Sequence, residues 1–154
     1  MELADLVRED FDPVLHEDDE PDWSDPKKSY SPAVRCEMAR IERNDATVII
    51  FPVWWWSMPA ILKGWIDRVW NHGWAYGGGA YPHSKVLAIA IAGGSKSDFA
   101  AGQYDVGLRS QIENGLLSYC GVEKPRLELF LGALEGEARA RDILAEVQRL
   151  GEAF

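Results

Sequence analysis

The chain has 154 residues, 47% of them hydrophobic and 27% charged, with a formal net charge of -9. That balance suits a single domain over 1–154 with a sizeable core, and it excludes a disordered tail or a collagen-like fibre. No run approaches the ~20 apolar residues of a membrane span, and the acidic excess argues against nucleic acid or an anionic membrane as partner. Residues 1–25 hold 11 acidic side chains against Arg8 alone, which leaves the rest of the chain close to neutral. Composition reads that acidic run as a solvated loop. MELADLVRED lacks the basic region and apolar stretch of a signal peptide, and Cys36 and Cys120 make no disulfide framework. Both points favour a reducing, cytoplasmic setting. His16, His72 and His83 share no metal-ligand spacing with each other or with the cysteines.

Along the chain, Leu3 to Val7 read as the end of a strand, followed by a long polar loop with Pro13, Pro21 and Pro26. Ser31-Pro32 then opens a helix, with Ser31 as cap and Pro32 in the first turn. Val34, Met38 and Ile41 form its inner stripe, and Glu37, Arg40, Glu42 and Arg43 its wet side. ATVIIFPV, 46–53, is continuously apolar and β-branched, as in a strand buried on both faces of a parallel sheet. MPAILKGWIDRVW, 58–70, is an amphipathic helix, and HGWAYGGGAYP, 72–82, a glycine-rich loop; His72 and His83 read as surface or loop residues rather than catalysts. KVLAIAIAGG, 85–94, is a second buried strand running into a Gly-Gly turn. A helix over 105–119, a strand over 126–131 and a helix over 136–150 complete the chain, the last with Ala138, Ile143, Leu144, Val147 and Leu150 inward. Strands alternating with helices specify an α/β fold, a parallel sheet with helices on both faces. Ligands of such sheets bind at the carboxyl ends of strands.

The two loops at those ends carry the chemistry. Pro52-Val53-Trp54-Trp55-Trp56 follows the first buried strand, and six of the seven tryptophans fall between Trp54 and Trp74. Three consecutive rings in extended chain cannot all face one core, so at least one lines a surface or cleft. A planar aromatic ligand suits such walls, and an oligomer interface suits them equally. After the second strand, Gly93 and Gly94 let backbone approach a flat ligand. Neither GxGxxG nor GxxxxGK[ST] occurs, and no GxSxG elbow surrounds Ser57 or Ser95.

FPVWWWSMPAILKGWIDRVWNHGWAYG, 51–77, resembles the signature of the NAD(P)H:quinone oxidoreductase family of flavodoxin-like flavoproteins. AGGS at 92–95 falls where that family has its second flavin loop, and FDPVLHEDDEPDW resembles a stretch of bacterial members. The resemblance implies a three-layer, doubly wound flavodoxin-like domain that binds FAD or FMN, with FAD slightly preferred. It implies hydride uptake from NAD(P)H, delivery to a quinone-like acceptor, and a homodimer. Pro52, Val53, Trp54, Trp55 and Trp56 would line the flavin ring, and Gly93 and Gly94 its pyrimidine edge. Tyr76 would line the acceptor pocket from the partner subunit, with Phe99 at a position where some members carry tyrosine. No histidine follows in 95–119, so a proton relay there is not expected, and Tyr104 is the nearest hydroxyl that could replace it. Against the family pattern, one strand–loop–helix unit ahead of Met1–Val7 has no counterpart, and its central strand and phosphate turn would be missed. Flavin binding is then expected to be weakened. The second functional reading is a non-enzymatic flavodoxin-like subunit that binds a partner, such as an ancillary regulator of ion transport, through its tryptophan face.

Overall fold

A computed structural model describes residues 2–154. Helix α1 spans Pro32–Glu42, strand β1 Thr47–Pro52, helix α2 Ala60–Val69 and strand β2 Lys85–Ile91. Helices α3, Lys96–Gly102, and α4, Tyr104–Arg109, follow, and α4 runs on as a π-helical segment, Ser110–Ser118. Strand β3, Lys124–Phe130, and helix α5, Glu137–Ala153, close the chain. The three strands form one parallel sheet in the order β1-β2-β3, with Thr47 beside Val86, Pro52 beside Ile91, and Ile91 beside Phe130.

The sheet has helices on both faces, as alternating elements require. On one face Ile49, Phe51, Val86, Ala88, Ala90 and Leu127 meet α1, α2 and the π-helical segment through Val34, Met38, Leu62, Trp65, Ile112 and Leu117. On the other, Leu87, Ile89 and Phe130 meet α5 through Ile143, with Val147 and Leu150 partly buried beside it. Ser31 caps α1 by accepting from the Val34 N–H, with Pro32 at the first position, as the sequence predicts.

Four expectations need correction. The strand 46–53 is not buried on both faces: Val48 is 45% and Ile50 60% exposed, because α5 reaches only β2 and β3. Leu3–Val7 forms no strand, since no strand edge lies beside it; residues 6–10 make a turn. Glu37 is buried rather than wet, because its carboxylate accepts from the Trp65 indole N–H at 2.9 Å. Of the residues placed inward on α5, Ala138 and Leu144 are exposed.

The acidic run is also more than a solvated loop. Residues 12–31 lie as a strap across α2. A Cβ at Gly64 would collide with the Pro13 carbonyl, so only glycine allows that close approach. Fully buried Asp19 accepts from Arg68 Nη2 at 2.7 Å and Nε at 3.2 Å, and from the Ser31 N–H at 2.9 Å. Burial pushes the Asp19 carboxyl up, but the hydrogen bonds from Arg68 and Ser31 outweigh it and hold it below the usual range. Tyr30 closes the strap by donating to the His72 carbonyl at 2.8 Å.

Candidate functional site

The carboxyl ends of the strands are stitched into a staircase. The Val53 N–H donates to Ile91 O, and the Ala92 N–H to Phe130 O, both at 2.8 Å. Gly132 and Ala133 return the link by donating to Gly94 O at 2.8 Å and Ala92 O at 2.9 Å. Three loops are thereby held side by side at the edge where open α/β sheets bind ligands.

The first loop is a tight hairpin. Trp54 and Ser57 exchange both backbone hydrogen bonds at 3.0 Å. Trp55 and Trp56 occupy its two central positions with φ of 47° and 61°, left-handed values that ordinary side chains avoid. The turn throws Trp55 into solvent, 94% exposed, with Trp54 60% exposed. Trp56 folds back, stacked on Tyr104 at 3.6 Å between centroids and edge-on to Phe99 at 5.2 Å. Three adjacent indoles therefore do take different environments. Phe99 is buried beneath Trp56, so its ring supports the wall and is not itself a lining surface.

In the second loop a Cβ at Gly93 would come 2.7 Å from Leu134 Cδ1, so Leu134 from the third loop lies against the glycine. Ser95 and Asp98 form a reciprocal capping box at the start of α3, and the Ser95 hydrogen bonds hold the Asp98 carboxyl below its usual range. Beside this turn lies a 410 Å³ cavity lined by Ser95, Lys96, Ser97, Leu131, Glu135 and Arg139. Arg139 is held there by donating from Nε to Leu131 O at 3.0 Å. Lys96 and Arg139 are its cations and Glu135 its carboxylate, with Arg139 also paired to Glu146 at 3.4 Å; the two donors can meet an anionic group. Sequence reasoning missed both: Arg139 lies on α5, 45 residues beyond Gly94, and only the Gly132–Gly94 contact brings the two loops together. The indole wall, the Gly93–Gly94 turn and a cavity carrying Lys96 and Arg139 lie together at the strand ends, where they could hold a planar ring bearing a phosphorylated tail.

Tyr76 belongs to a separate aromatic group. Its ring meets Trp23 at 6.0 Å, His72 at 5.8 Å and Tyr119 at 5.7 Å. Burial and the neighbouring Tyr119 raise its phenol above the ordinary value, so it stays protonated at neutral pH. His72 and His83 lie in loops outside the named helices and strands, and both are buried. His83 bridges Thr47 Oγ1 at 2.7 Å and the Asn44 carbonyl at 2.6 Å, a structural role at the start of β1. Cys120 is buried and its thiol pushed up to about 11, which makes it inert as a nucleophile. Among the described residues no cluster of His, Cys, Asp or Glu could hold a metal, and no helix is long and apolar enough to cross a membrane.

A family model described as a flavodoxin-like fold matches residues 1–154. A solved NAD(P)H:quinone oxidoreductase from Methanothermobacter marburgensis superimposes with a TM-score of 0.86 at 31% identity, covering 97% of this chain and 77% of that one. The chain belongs to the flavodoxin-like NAD(P)H:quinone oxidoreductase family. An uncharacterized NAD(P)H oxidoreductase of Escherichia coli, YcaK, is 43% identical over 120 residues. The FMN complex of general stress protein 14 from Treponema denticola matches with a TM-score of 0.54 at 28% identity, covering 83% of this chain and 76% of that one. The E. coli match takes in 77% of this chain and 61% of the relative, and a Haemophilus influenzae NAD(P)H oxidoreductase is matched over 83% and 65%. The chain thus spans less than two thirds of the curated relatives it matches.

Proposed function

We propose that this domain binds a flavin at the Trp54–Trp56 hairpin and the Gly93–Gly94 turn, and serves NAD(P)H-dependent reduction of a quinone-like acceptor. The observation that carries this reading is the juxtaposition of those two loops on neighbouring strand ends, stitched by Val53–Ile91 and Gly132–Gly94. The FMN complex of the Treponema relative and the names of the reductase relatives support it.

A bound flavin would supply the two-electron chemistry, accepting hydride from NAD(P)H and giving it up to the acceptor. This chain's residues bind and orient. Trp54 and Trp56, with Pro52 and Val53 at the strand end, wall the ring, and the Tyr104–Phe99 support fixes Trp56. Gly93 and Gly94 present backbone groups at the opposite edge, with Leu134 packed against Gly93. Lys96 and Arg139 hold phosphate, FMN or FAD alike, since the cavity places no group that selects an adenosine. A homodimer in which Tyr76 faces the partner's flavin, in a cytoplasmic setting, completes the proposed reading.

Titration of the 154-residue chain with FMN and with FAD, followed by tryptophan fluorescence, tests the reading. Saturable quenching, lost in Trp56→Ala and Arg139→Ala, is expected, with colour that washes out readily on gel filtration. NADH or NADPH oxidation with a naphthoquinone should follow flavin occupancy. Quenching by neither flavin would refute the proposal.

A further inference from the structure

Six of the seven tryptophans crowd the hairpin, α2 and the chain just after it; the seventh, Trp23, stands alone in the acidic strap. It is 68% exposed, yet it does not hang from a loose loop. Before it Asp19 is bound to Arg68, and after it a Cβ at Gly73 would collide with the Pro26 carbonyl. Asx turns bracket the residue: the Ser24 N–H donates to Asp22 Oδ1 at 2.8 Å, and the Lys27 N–H to Asp25 Oδ1 at 2.9 Å. Anchored this way, the indole lies edge-on to His72 at 5.3 Å and tilted on Tyr76 at 6.0 Å. Tyr119, 67% exposed at the end of the π-helical segment, meets the Tyr76 ring at 5.7 Å. Half-buried Tyr76 is thus the shared neighbour of two exposed rings.

Scattered exposed aromatics are ordinary, but contiguous ones held in place mark a binding surface. Against Trp23, the buried His72 ring keeps an Nδ1 with no hydrogen-bond partner among the described residues. The group therefore offers ring faces and one unsatisfied polar atom, which suits a flat ring bearing carbonyl oxygens. Its surroundings carry a sign. Residues 17–28 set six carboxylates against Lys27 and Lys28, and Asp19 among them is neutralised by Arg68. Lys28 is drawn aside by donating to Glu20 O at 2.7 Å. Burial raises the neighbouring Tyr30 phenol, and Tyr76, Asp22 and Asp25 raise it further, so the negative field of the strap reaches this group. That field repels an anion from the rings and leaves an uncharged or cationic ligand free to approach.

We propose that Trp23 and Tyr119 are specificity-determining residues which, beside Tyr76, select flat fused-ring acceptors that are uncharged or cationic, and that the acidic strap rejects anionic ones. This role rests on the proposed acceptor site at Tyr76, whose substrate class it names. A fused ring reaches Tyr76 and a flanking ring together, whereas a single ring covers Tyr76 alone. The aromatic side chains attract flat rings in general, and the strap's carboxylates supply the discrimination by charge. The strap thereby does more than brace α2: it carries one wall of the site and the charge that filters what enters.

Binding measured without any flavin tests this. The 154-residue chain is labelled with 5-fluorotryptophan, Trp23→Phe identifies the Trp23 resonance, and equilibrium dialysis gives affinities. The neutral probe is 2,3-dimethyl-1,4-naphthoquinone, whose filled ring positions spare the exposed Cys36 thiol. The charged probe is 2-hydroxy-1,4-naphthoquinone, an anion at neutral pH. The neutral probe should shift the Trp23 resonance saturably and bind about tenfold tighter than the anion at low salt, a gap that narrows at high salt. Asp22→Asn combined with Asp25→Asn keeps the turns and should narrow the same gap. Trp23→Ala and Tyr119→Ala should each weaken the neutral probe by about three- to tenfold, and Trp23→Phe should restore most of the loss. Unchanged urea midpoints in these variants show that the fold is intact. Tetramethyl-1,4-benzoquinone, a single ring, should bind more weakly than the fused probe. Equal affinity for neutral and anionic probes, or a Trp23 resonance that neither moves, would overturn the proposal even in a chain that binds flavin. A chain that binds no flavin but shows the expected quinone preference loses the proposed flavin site and keeps this one.

Discussion

Trp55 and Trp56 hold the two positions of a hairpin turn where Asn-Gly is preferred, because both have positive φ. A left-handed conformation costs a non-glycine residue about 1–2 kcal/mol. Trp55, 94% exposed, gains no packing in return, whereas Trp56 recovers some of that cost through its stack on Tyr104. Strain concentrates at ligand-binding sites when the surroundings impose it. Trp55→Asn should therefore stabilise the domain by about 1 kcal/mol, measured as a raised urea midpoint with unchanged slope. Trp56→Gly relieves the same strain but removes the stack, so its net effect should be near zero and flavin quenching should disappear. A destabilised Trp55→Asn would show that the turn is not strained in solution.

Among the elements, the strap 12–31 depends on the Asp19–Arg68 pair. Removing one partner of a buried pair costs about 3–5 kcal/mol, because the other charge is left unpaired. Asp19→Ala should fall in that range. The pH dependence follows from the direction of the shift: the folded carboxyl titrates below its unfolded value, so its stabilisation is present above the unfolded pKa and is lost as pH falls through the folded one. Urea midpoints measured from neutral pH downward should thus decline more steeply in the native chain than in Asp19→Ala. Equal slopes would remove Asp19 from the account of acid sensitivity.

The same strap shows what the sequence made legible. Periodicity located α1, α2, β1, β2, β3 and α5 within a few residues, because each buries a stripe or a face that repeats along the chain. The Trp54–Trp56 and Gly93–Gly94 loops were legible because their composition is unusual for chain that follows a strand. The burial of Asp19, Glu37, His72 and His83 was not, since each is decided by a partner distant in sequence: Arg68, Trp65, Trp23 and Thr47. Arg139 was hidden for the same reason. The conversion of the 105–119 helix to π geometry was also unforeseen. There Ser118 Oγ donates to the Glu113 carbonyl five residues back, and Glu113 clamps Arg109 and the Leu127 N–H.

Over the whole molecule, the decisive asymmetry is that a six-residue apolar strand is buried on the Ile49–Phe51 side and bare on the Val48–Ile50 side. In the 154-residue chain Ile50 is 60% exposed, so Ile50→Lys should change stability by no more than about 0.5 kcal/mol. Ile49, its neighbour in the same strand, is buried, so Ile49→Lys removes a packed isoleucine and brings an unpaired charge into the core, at a cost of several kcal/mol. Urea unfolding of the two variants beside the native chain compares the two faces directly. Equal losses in both would mean that the strand is covered on both sides in solution.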